Sequence, residues 1–269
     1  MSHELDPSER VGTDHPLFVA SLEKGFQVLE TLAAAQRPLS LAEIARLSGI
    51  GRSAAQRFAY TLRTLGYVDQ YPDNKRYVLS TKMISFGQAY ASSDAVQRLA
   101  EPILQQLHED CGETVNLTVL DGHDVVYVLR YLSQHVVSVN LQVGARLPAY
   151  CTAPGRAILA HLSEVQAAQL LRSSDRVKHT DKTETDFDRL MQRLREVRDR
   201  GYSLNDQETF AGDISVAAAI VDRLGRPVAA VNVAVPSPRW SVKSLEAEWA
   251  SAVVTAASRI SAALGYGHR

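Results

Sequence analysis

Residues Leu41 to Leu79 constrain the chain more than any other stretch. They read LAEIARLSGIGRSAAQRFAYTLRTLGYVDQYPDNKRYVL. Apolar residues recur near helical period at Leu41, Ile44, Ala45 and Leu47, and again at Phe58, Leu62 and Leu65. Ser48-Gly49-Ile50-Gly51 separates the two runs, and two short helices joined by a Gly-containing turn form a helix-turn-helix unit. Ser40, with Glu43 three residues on, has the capping-box spacing for the first helix. The second helix is predicted over Gly51 to Thr64 with its stop at Gly66. A strand-turn-strand pattern pivoting on Pro72-Asp73-Asn74 follows and reads as a wing.

Bulk charge says nothing about nucleic acid, because 29 Lys and Arg oppose 30 Asp and Glu for a net charge of -1. The local distribution does. From Ile44 to Val68 there is no Asp or Glu, while Arg46, Arg52, Arg57 and Arg63 fall there, and Lys75 and Arg76 flank the wing turn. Cations gathered on one face let a near-neutral protein bind phosphates. Arg52, Ser53, Gln56 and Arg57 are expected near bases, since Gln and Arg pair bidentately with adenine and guanine edges. Tyr60, Arg63, Lys75 and Arg76 are expected near phosphates. The implied partner is double-stranded operator DNA. The alternative is a small-molecule binding module or enzyme whose helix-turn-helix mediates protein contacts; exposure of Arg52, Gln56 and Arg57 discriminates the two.

The remaining chain fits an α+β protein of about two domains. Residues 1–16, polar and mixed in charge, read as a flexible tail. Residues 17–80 form the winged helix-turn-helix domain, with Phe18, Leu22, Phe26, Leu29 and Leu32 on one face of an opening helix that packs on the reading unit. Residues 81–98 read as a linker and dimerisation helix. The helical pattern continues to Asp110 with a break expected near Pro102. Residues 99–269 read as a second domain whose strands, at 115–120, 125–132, 136–143, 213–222 and 227–235, mix with helices at 152–161, 163–172, 186–200 and 244–264, as in an antiparallel sheet flanked by helices. No apolar run approaches the length of a membrane span, and two cysteines make no disulfide framework, so a cytoplasmic chain with no membrane partner is expected.

The segments SLEKGFQVLE, LAEIARLSGI, GRSAAQRFAYTLRTLGYV, the YPDNKRYVLS wing, GARLPAYCTAPGRAIL and residues 201–236 resemble, in that order, the IclR family of bacterial transcriptional regulators. The resemblance spans nearly the whole chain and implies a GAF-like effector-binding second domain, a homodimer or dimer of dimers on DNA, and control of a catabolic operon. The RLPAYCT wording is similar to the branch that governs breakdown of aromatic acids such as p-hydroxybenzoate and protocatechuate and of related dicarboxylates.

Arg146 to Gly155 is a loop feeding a helix, with Thr152 or Cys151 near the N-cap and Pro154 in the first turn. Free N–H groups there favour an anion, which points to a small-molecule carboxylate effector. By the resemblance, Ala153, Pro154, Asn205, Ser215, Ala217, Asn232 and Ala234 line the effector cavity. Arg146 is either a bidentate carboxylate clamp or a brace of the loop paired with an acid such as Asp206. Small residues at 217, 219 and 234 would leave room for a ring, and Tyr127 and Tyr131 could supply a stacking wall or a phenolic hydrogen bond. Cys151 at a helix start could be an activated thiol, but His123, His135 and His161 have no spacing that sets a base beside it. His123-Asp124 with His135 matches no metal motif. The expectation is a non-enzyme without cofactor or metal.

Overall fold

The computed structural model describes residues 13–133 and 141–267. Of the tail read over 1–16, residues 1–12 lie outside the described residues. The chain divides into two compact units between Tyr90 and Ala91, inside the stretch read as linker.

The first unit contains α1 (Ala20–Ala35), α2 (Leu41–Ser48), α3 (Arg52–Thr64), β1 (Val68–Gln70) and β2 (Tyr77–Leu79). The capping box at α2 is formed: the Ser40 N–H donates to Glu43 Oε2 at 2.9 Å and the Glu43 N–H donates to Ser40 Oγ at 3.3 Å. Gly49 ends α2 at φ 69°, a left-handed conformation that glycine adopts without a side-chain clash. β1 and β2 pair antiparallel from Val68 with Leu79 to Gln70 with Tyr77, and Leu39 bridges to Tyr77. Val28, Leu29 and Leu32 of α1 meet Leu39, Ile44, Ala55 and Val68 in the core of this unit. Phe18, Leu22 and Phe26, expected on the same packed face, stay 40%, 60% and 54% exposed. With 8 residues, α2 is half as long as α1 with its 16, and the packed face of α1 is confined to its later turns.

α4 (Lys82–Ser93) crosses the division and α5 (Ala95–Cys111) follows. The break expected at Pro102 lies instead at Asp94, whose carboxylate accepts the Val96 N–H at 2.8 Å and caps α5. Pro102 sits inside α5. It removes a bond to the Arg98 carbonyl, and Arg98 lies on an exposed face where water can replace that bond.

The second unit holds a six-stranded sheet of order β5-β4-β3-β8-β7-β6, antiparallel throughout. The strands are β3 (Thr114–Asp121), β4 (Asp124–Tyr131), β5 (Arg146–Pro148), β6 (Ser203–Asp206), β7 (Asp213–Val221) and β8 (Pro227–Pro236). β5 and β6 were not foreseen; both are short edge strands, three and four residues long. The strand expected at 136–143 lies outside the described residues up to 140, and Leu141–Val143 are not in a strand. Strand alternation sends Val115, Leu117, Val216, Ala218, Val231 and Val233 toward α5 and α9 (Val242–Ala263). The opposite face carries Ala217 and Ala230 under α6 (Ala153–His161), α7 (Glu164–Ser173) and α8 (Phe187–Arg200). Among the described residues no helix is long and apolar enough to cross a membrane.

Candidate functional sites

The first site is one face of α3. Ala55 and Ala59, one turn apart, are fully buried, which turns Arg52, Ser53, Gln56, Arg57, Tyr60 and Arg63 to the exposed side. The N-cap residue, Gly51, makes no side-chain cap bond and no acid stands in the first turn, so the leading N–H groups and the positive helix end favour an anion. Lys75 is exposed at the wing turn, which is closed by Tyr71 N–H to the Arg76 carbonyl at 2.8 Å and Arg76 N–H to Asn74 Oδ1 at 3.0 Å. Arg63 Nη1 donates to Gln70 Oε1 at 2.6 Å and ties α3 to the wing.

Arg76, expected near a phosphate, is committed inward. Its Nη1 donates to the Pro38 carbonyl at 2.9 Å and pairs with Glu43 at 3.0 Å, bracing the wing on α2. Hydrogen bonds from the Ser40 backbone and hydroxyl, then from Arg37, hold the Glu43 carboxyl down at about 2.

The second site is a cavity of about 240 Å³ against the α6 side of the sheet. Its floor follows the strand register. One cross-strand row brings Arg130, Asn116 and Asn232 into the lining; the next on that face brings Thr114, Ala234, Ser215 and Asn205. Tyr127 supplies an aromatic wall, with the Arg130 guanidinium 5.3 Å from its ring centroid. Asn116 Nδ2 donates to Asn232 Oδ1 at 3.3 Å. Among the described residues, three buried atoms of the lining have no hydrogen-bond partner: Arg130 Nε, Asn116 Oδ1 and Glu113 Oε2. Burial lowers the Arg130 pKa and lifts that of Asp213 to about 7, with the Arg130 charge opposing the lift.

The loop over the cavity is held from behind. Asn205 Nδ2 and Thr209 Oγ1 both donate to the Cys151 carbonyl, the latter at 2.8 Å, and the Glu208 N–H donates to Asn205 Oδ1 at 3.1 Å. Thr152 Oγ1 caps α6 by accepting the Gly155 N–H at 3.2 Å. A Cβ on Gly155 would lie 2.2 Å from the Ala149 carbonyl oxygen, so the loop can close on α6 only with glycine there. Arg156 and Glu208 form a buried pair at 2.8 Å, and Arg193 joins Glu208 at 3.0 Å.

Of the residues singled out from sequence, Tyr127, Thr152, Ala153, Pro154, Asn205, Ser215, Asn232 and Ala234 line the cavity. Ala217, Tyr131 and Arg146 do not. Ala217 is fully buried in the core that α6 closes, so its small side chain accommodates the helix rather than a ligand ring. Tyr131 packs on the other face, stacked on His108 at 5.7 Å. Arg146 is a surface brace, but its partners are Asp121 at 2.8 Å and Asp124 at 3.3 Å; Asp206 pairs with Lys182 at 2.8 Å.

Cys151 is buried, and that burial pushes its thiol up to about 11, the opposite of activation. Among the described residues no group of three or more His, Cys, Asp or Glu is placed to hold a metal ion; His135 lies outside them.

Residues 21–72 match the IclR helix-turn-helix domain and residues 88–262 match the bacterial transcriptional regulator IclR C-terminal domain. This chain belongs to the IclR family. It is therefore a DNA-binding transcriptional regulator, in a family of regulators rather than enzymes. The Pca regulon regulatory protein of Pseudomonas putida is 34% identical over 94% of this chain and 87% of its own length. The p-hydroxybenzoate hydroxylase transcriptional activator of Acinetobacter baylyi is 31% identical over 84% of this chain and 83% of its own length. A solved transcriptional regulator from Rhodococcus sp. RHA1 superposes with a TM-score of 0.81 at 33% identity, covering 92% of this chain and 99% of that one.

Within this IclR-family chain, sequence reasoning missed Arg130, Glu113 and Asp213. The decisive irregularity is in β4, where Leu129 pairs with Leu117 but Tyr127, not Val128, pairs with Thr118. One extra residue at this bulge shifts the alternation, so Tyr127 and Arg130 share the cavity face while Tyr131 turns away. Strict alternation from Tyr127 selects Tyr131, and nothing in the local sequence announces the bulge.

Proposed function

We propose that this regulator binds its operator as a homodimer and senses a small aromatic or dicarboxylic acid held in the cavity with its carboxylate on Arg130. One observation carries the ligand assignment: among the described lining residues Arg130 is the sole cation, and its Nε is buried without a partner. A buried donor left unpaired costs free energy that an incoming carboxylate recovers. A cavity of about 240 Å³ is smaller than the ~300–1,000 Å³ of typical drug-sized sites and suits one substituted ring or a short acid. Tyr127 and Phe210 in the lining favour a ring, and the name of the Acinetobacter relative, a p-hydroxybenzoate hydroxylase transcriptional activator, points the same way.

Arg52, Ser53, Gln56 and Arg57 of α3 enter the major groove, while Tyr60, Arg63 and Lys75 meet phosphates. Exposed apolar side chains of the first unit, Leu22 and Phe26 on α1 with Ile84 and Phe86 on α4, favour a partner copy. Two joined reading units then address two half-sites. The buried, high-pKa thiol of Cys151 supports a role without catalysis.

Binding to DNA from the gene's own upstream region tests the reading, with and without benzoate-type acids. Arg57→Glu is expected to abolish DNA binding and leave acid binding intact; Arg130→Met is expected to do the reverse. Acid affinity unchanged by Arg130→Met would overturn the ligand assignment.

A further inference from the structure

We infer that the cavity selects a singly charged acid with a hydrogen-bond donor at its far end and turns away dicarboxylates. This rests on the reading above that the cavity holds the effector with its carboxylate on Arg130, and it removes the dicarboxylic option left open there.

The charge count comes first. The charged side chains among the described lining residues are Arg130, Glu113 and Asp213. Arg130 offsets one ligand carboxylate, and a second would meet Asp213, which has no ion pair among the described residues, beside a Glu113 whose charge is already matched by Arg239, with no further cation among the described lining residues. Like charges brought together in a desolvated site disfavour binding strongly.

The geometry then says what the far end wants. Arg130 is on β4 and Asp213 on β7, with β3 and β8 between them. The register joins Arg130 to Ala217, so Asp213 lies three strands across and four residues along, ~14 Å by ~13 Å at ~4.8 Å per strand and ~3.3 Å per residue, at a different corner of the cavity floor. Asp213 has no ion pair within 4.0 Å among the described residues, so it meets the cavity as an uncommitted acceptor.

Glu113 is 3% exposed, and its Oε1 is taken by Arg239 and by Trp240 Nε1 at 2.9 Å. Its Oε2 is buried and unpartnered in the lining, as is Asn116 Oδ1. Apart from Arg130 Nε, every unpartnered buried atom of the described lining residues is thus an acceptor. A phenolic hydroxyl, an amine or an amide N–H satisfies such atoms, and a second carboxylate satisfies none of them.

Calorimetry on the full chain with two matched pairs tests this. Terephthalate and 4-carbamoylbenzoate share one shape, as do succinate and succinamate. Each pair differs in whether the far end is an anion or an N–H donor. The titrations are run at pH 8, above the value of about 7 to which burial lifts Asp213. The amide of at least one pair is expected to bind at least about tenfold more tightly than its dicarboxylate. Asp213→Asn and, as an independent variant, Glu113→Gln should each shrink that ratio, which a purely steric preference would not do.

Dicarboxylates that bind as tightly as their amide partners in every pair that binds overturn the inference and leave the Arg130 reading standing if Arg130→Met still removes binding. No binding by any of the four acids overturns both.

Discussion

Replacing Glu208 by Gln should unpick the support behind the cavity. The substitution keeps the side chain's shape and an acceptor for the Glu184 N–H, which Glu208 Oε2 accepts at 3.2 Å. It removes the charge 2.8 Å from Arg156, in a pair whose side chains are only 2% and 6% exposed. Burial already pushes the Arg156 pKa down, with the Glu208 charge opposing it. Removing one partner of a buried pair costs ~3–5 kcal/mol because the other charge is left uncompensated. Arg156 would keep the Leu204 carbonyl at 2.6 Å and the Tyr150 carbonyl at 3.4 Å, which places the expected loss near the lower end, ~3 kcal/mol. For a domain of this size that is a fall in Tm of ~6–12 °C. Both tryptophans, Trp240 and Trp249, lie in the second unit, so their fluorescence during urea or thermal unfolding reports that unit alone. The double substitution Arg156→Met with Glu208→Leu should recover much of the loss, since apolar replacement of a buried pair is often neutral. A loss below ~1 kcal/mol, the range of an exposed pair, would refute the reasoning.

Other consequences are equally specific. Gly155→Ala should destabilise the second unit by ~3 kcal/mol or more and weaken effector binding, because the new methyl meets the Ala149 backbone and the first turn of α6 must shift; thermal unfolding and titration of the variant check it. Glu43 has a folded-state pKa of about 2 against an ordinary 4.5, so its stabilisation is fully present above pH 4.5 and is lost as pH falls through about 2. Helicity of an isolated reading unit would be ambiguous, so the test is acid titration of the full chain by circular dichroism, where Glu43→Gln should flatten part of the loss. If the proposed homodimer uses this face, Leu22→Glu should give a monomer in light scattering without unfolding it, since Leu22 is 60% exposed and outside the core.

What the sequence disclosed and what it concealed follow from the range of the interactions. The reading unit was legible because its determinants are local: Ser40 and Glu43 cap each other, Gly49 and Gly66 take left-handed conformations at helix ends, and Asn74 closes its own turn. The break between α4 and α5 was misplaced because Pro102 is a stronger written signal than Asp94, although the cap at Asp94 provides the favourable start. The loop from Arg146 to Gly155 announced a cavity because its turn chemistry is contiguous. The cation that faces the cavity was hidden, since a bulge chooses Arg130 over Tyr131 and a bulge is a property of pairing between strands. Arg76 was placed at a phosphate, and Arg146 stayed open between a carboxylate clamp and a brace, because the local sequence does not show which acid each one meets. Each has acids within reach that only folding brings near: Glu43 lies 33 residues from Arg76, and Asp121 lies 25 residues from Arg146.

The same bulge gives β4 two audiences. Tyr127 and Arg130 face the cavity, while the Val128 carbonyl accepts Gln97 Nε2 at 3.2 Å and Tyr131 stacks on His108 and donates its hydroxyl to the Glu101 carbonyl at 3.3 Å. Gln97, Glu101 and His108 all belong to α5, which starts at the Asp94 cap immediately after α4. If the proposed acid docks on Arg130, it engages a strand whose other face is fastened to the helix that follows the linker. Coupling of this kind is reciprocal: if acid changes operator affinity by some factor, operator changes acid affinity by the same factor. Tyr131→Ala removes the stacking and the hydroxyl bond but nothing in the cavity or on α3. It should shrink the coupling factor measured from both directions while leaving acid affinity without DNA, and DNA affinity without acid, close to wild type. A variant that keeps full coupling would show that the signal leaves the cavity by another route, with the braced loop at Cys151 the first to test.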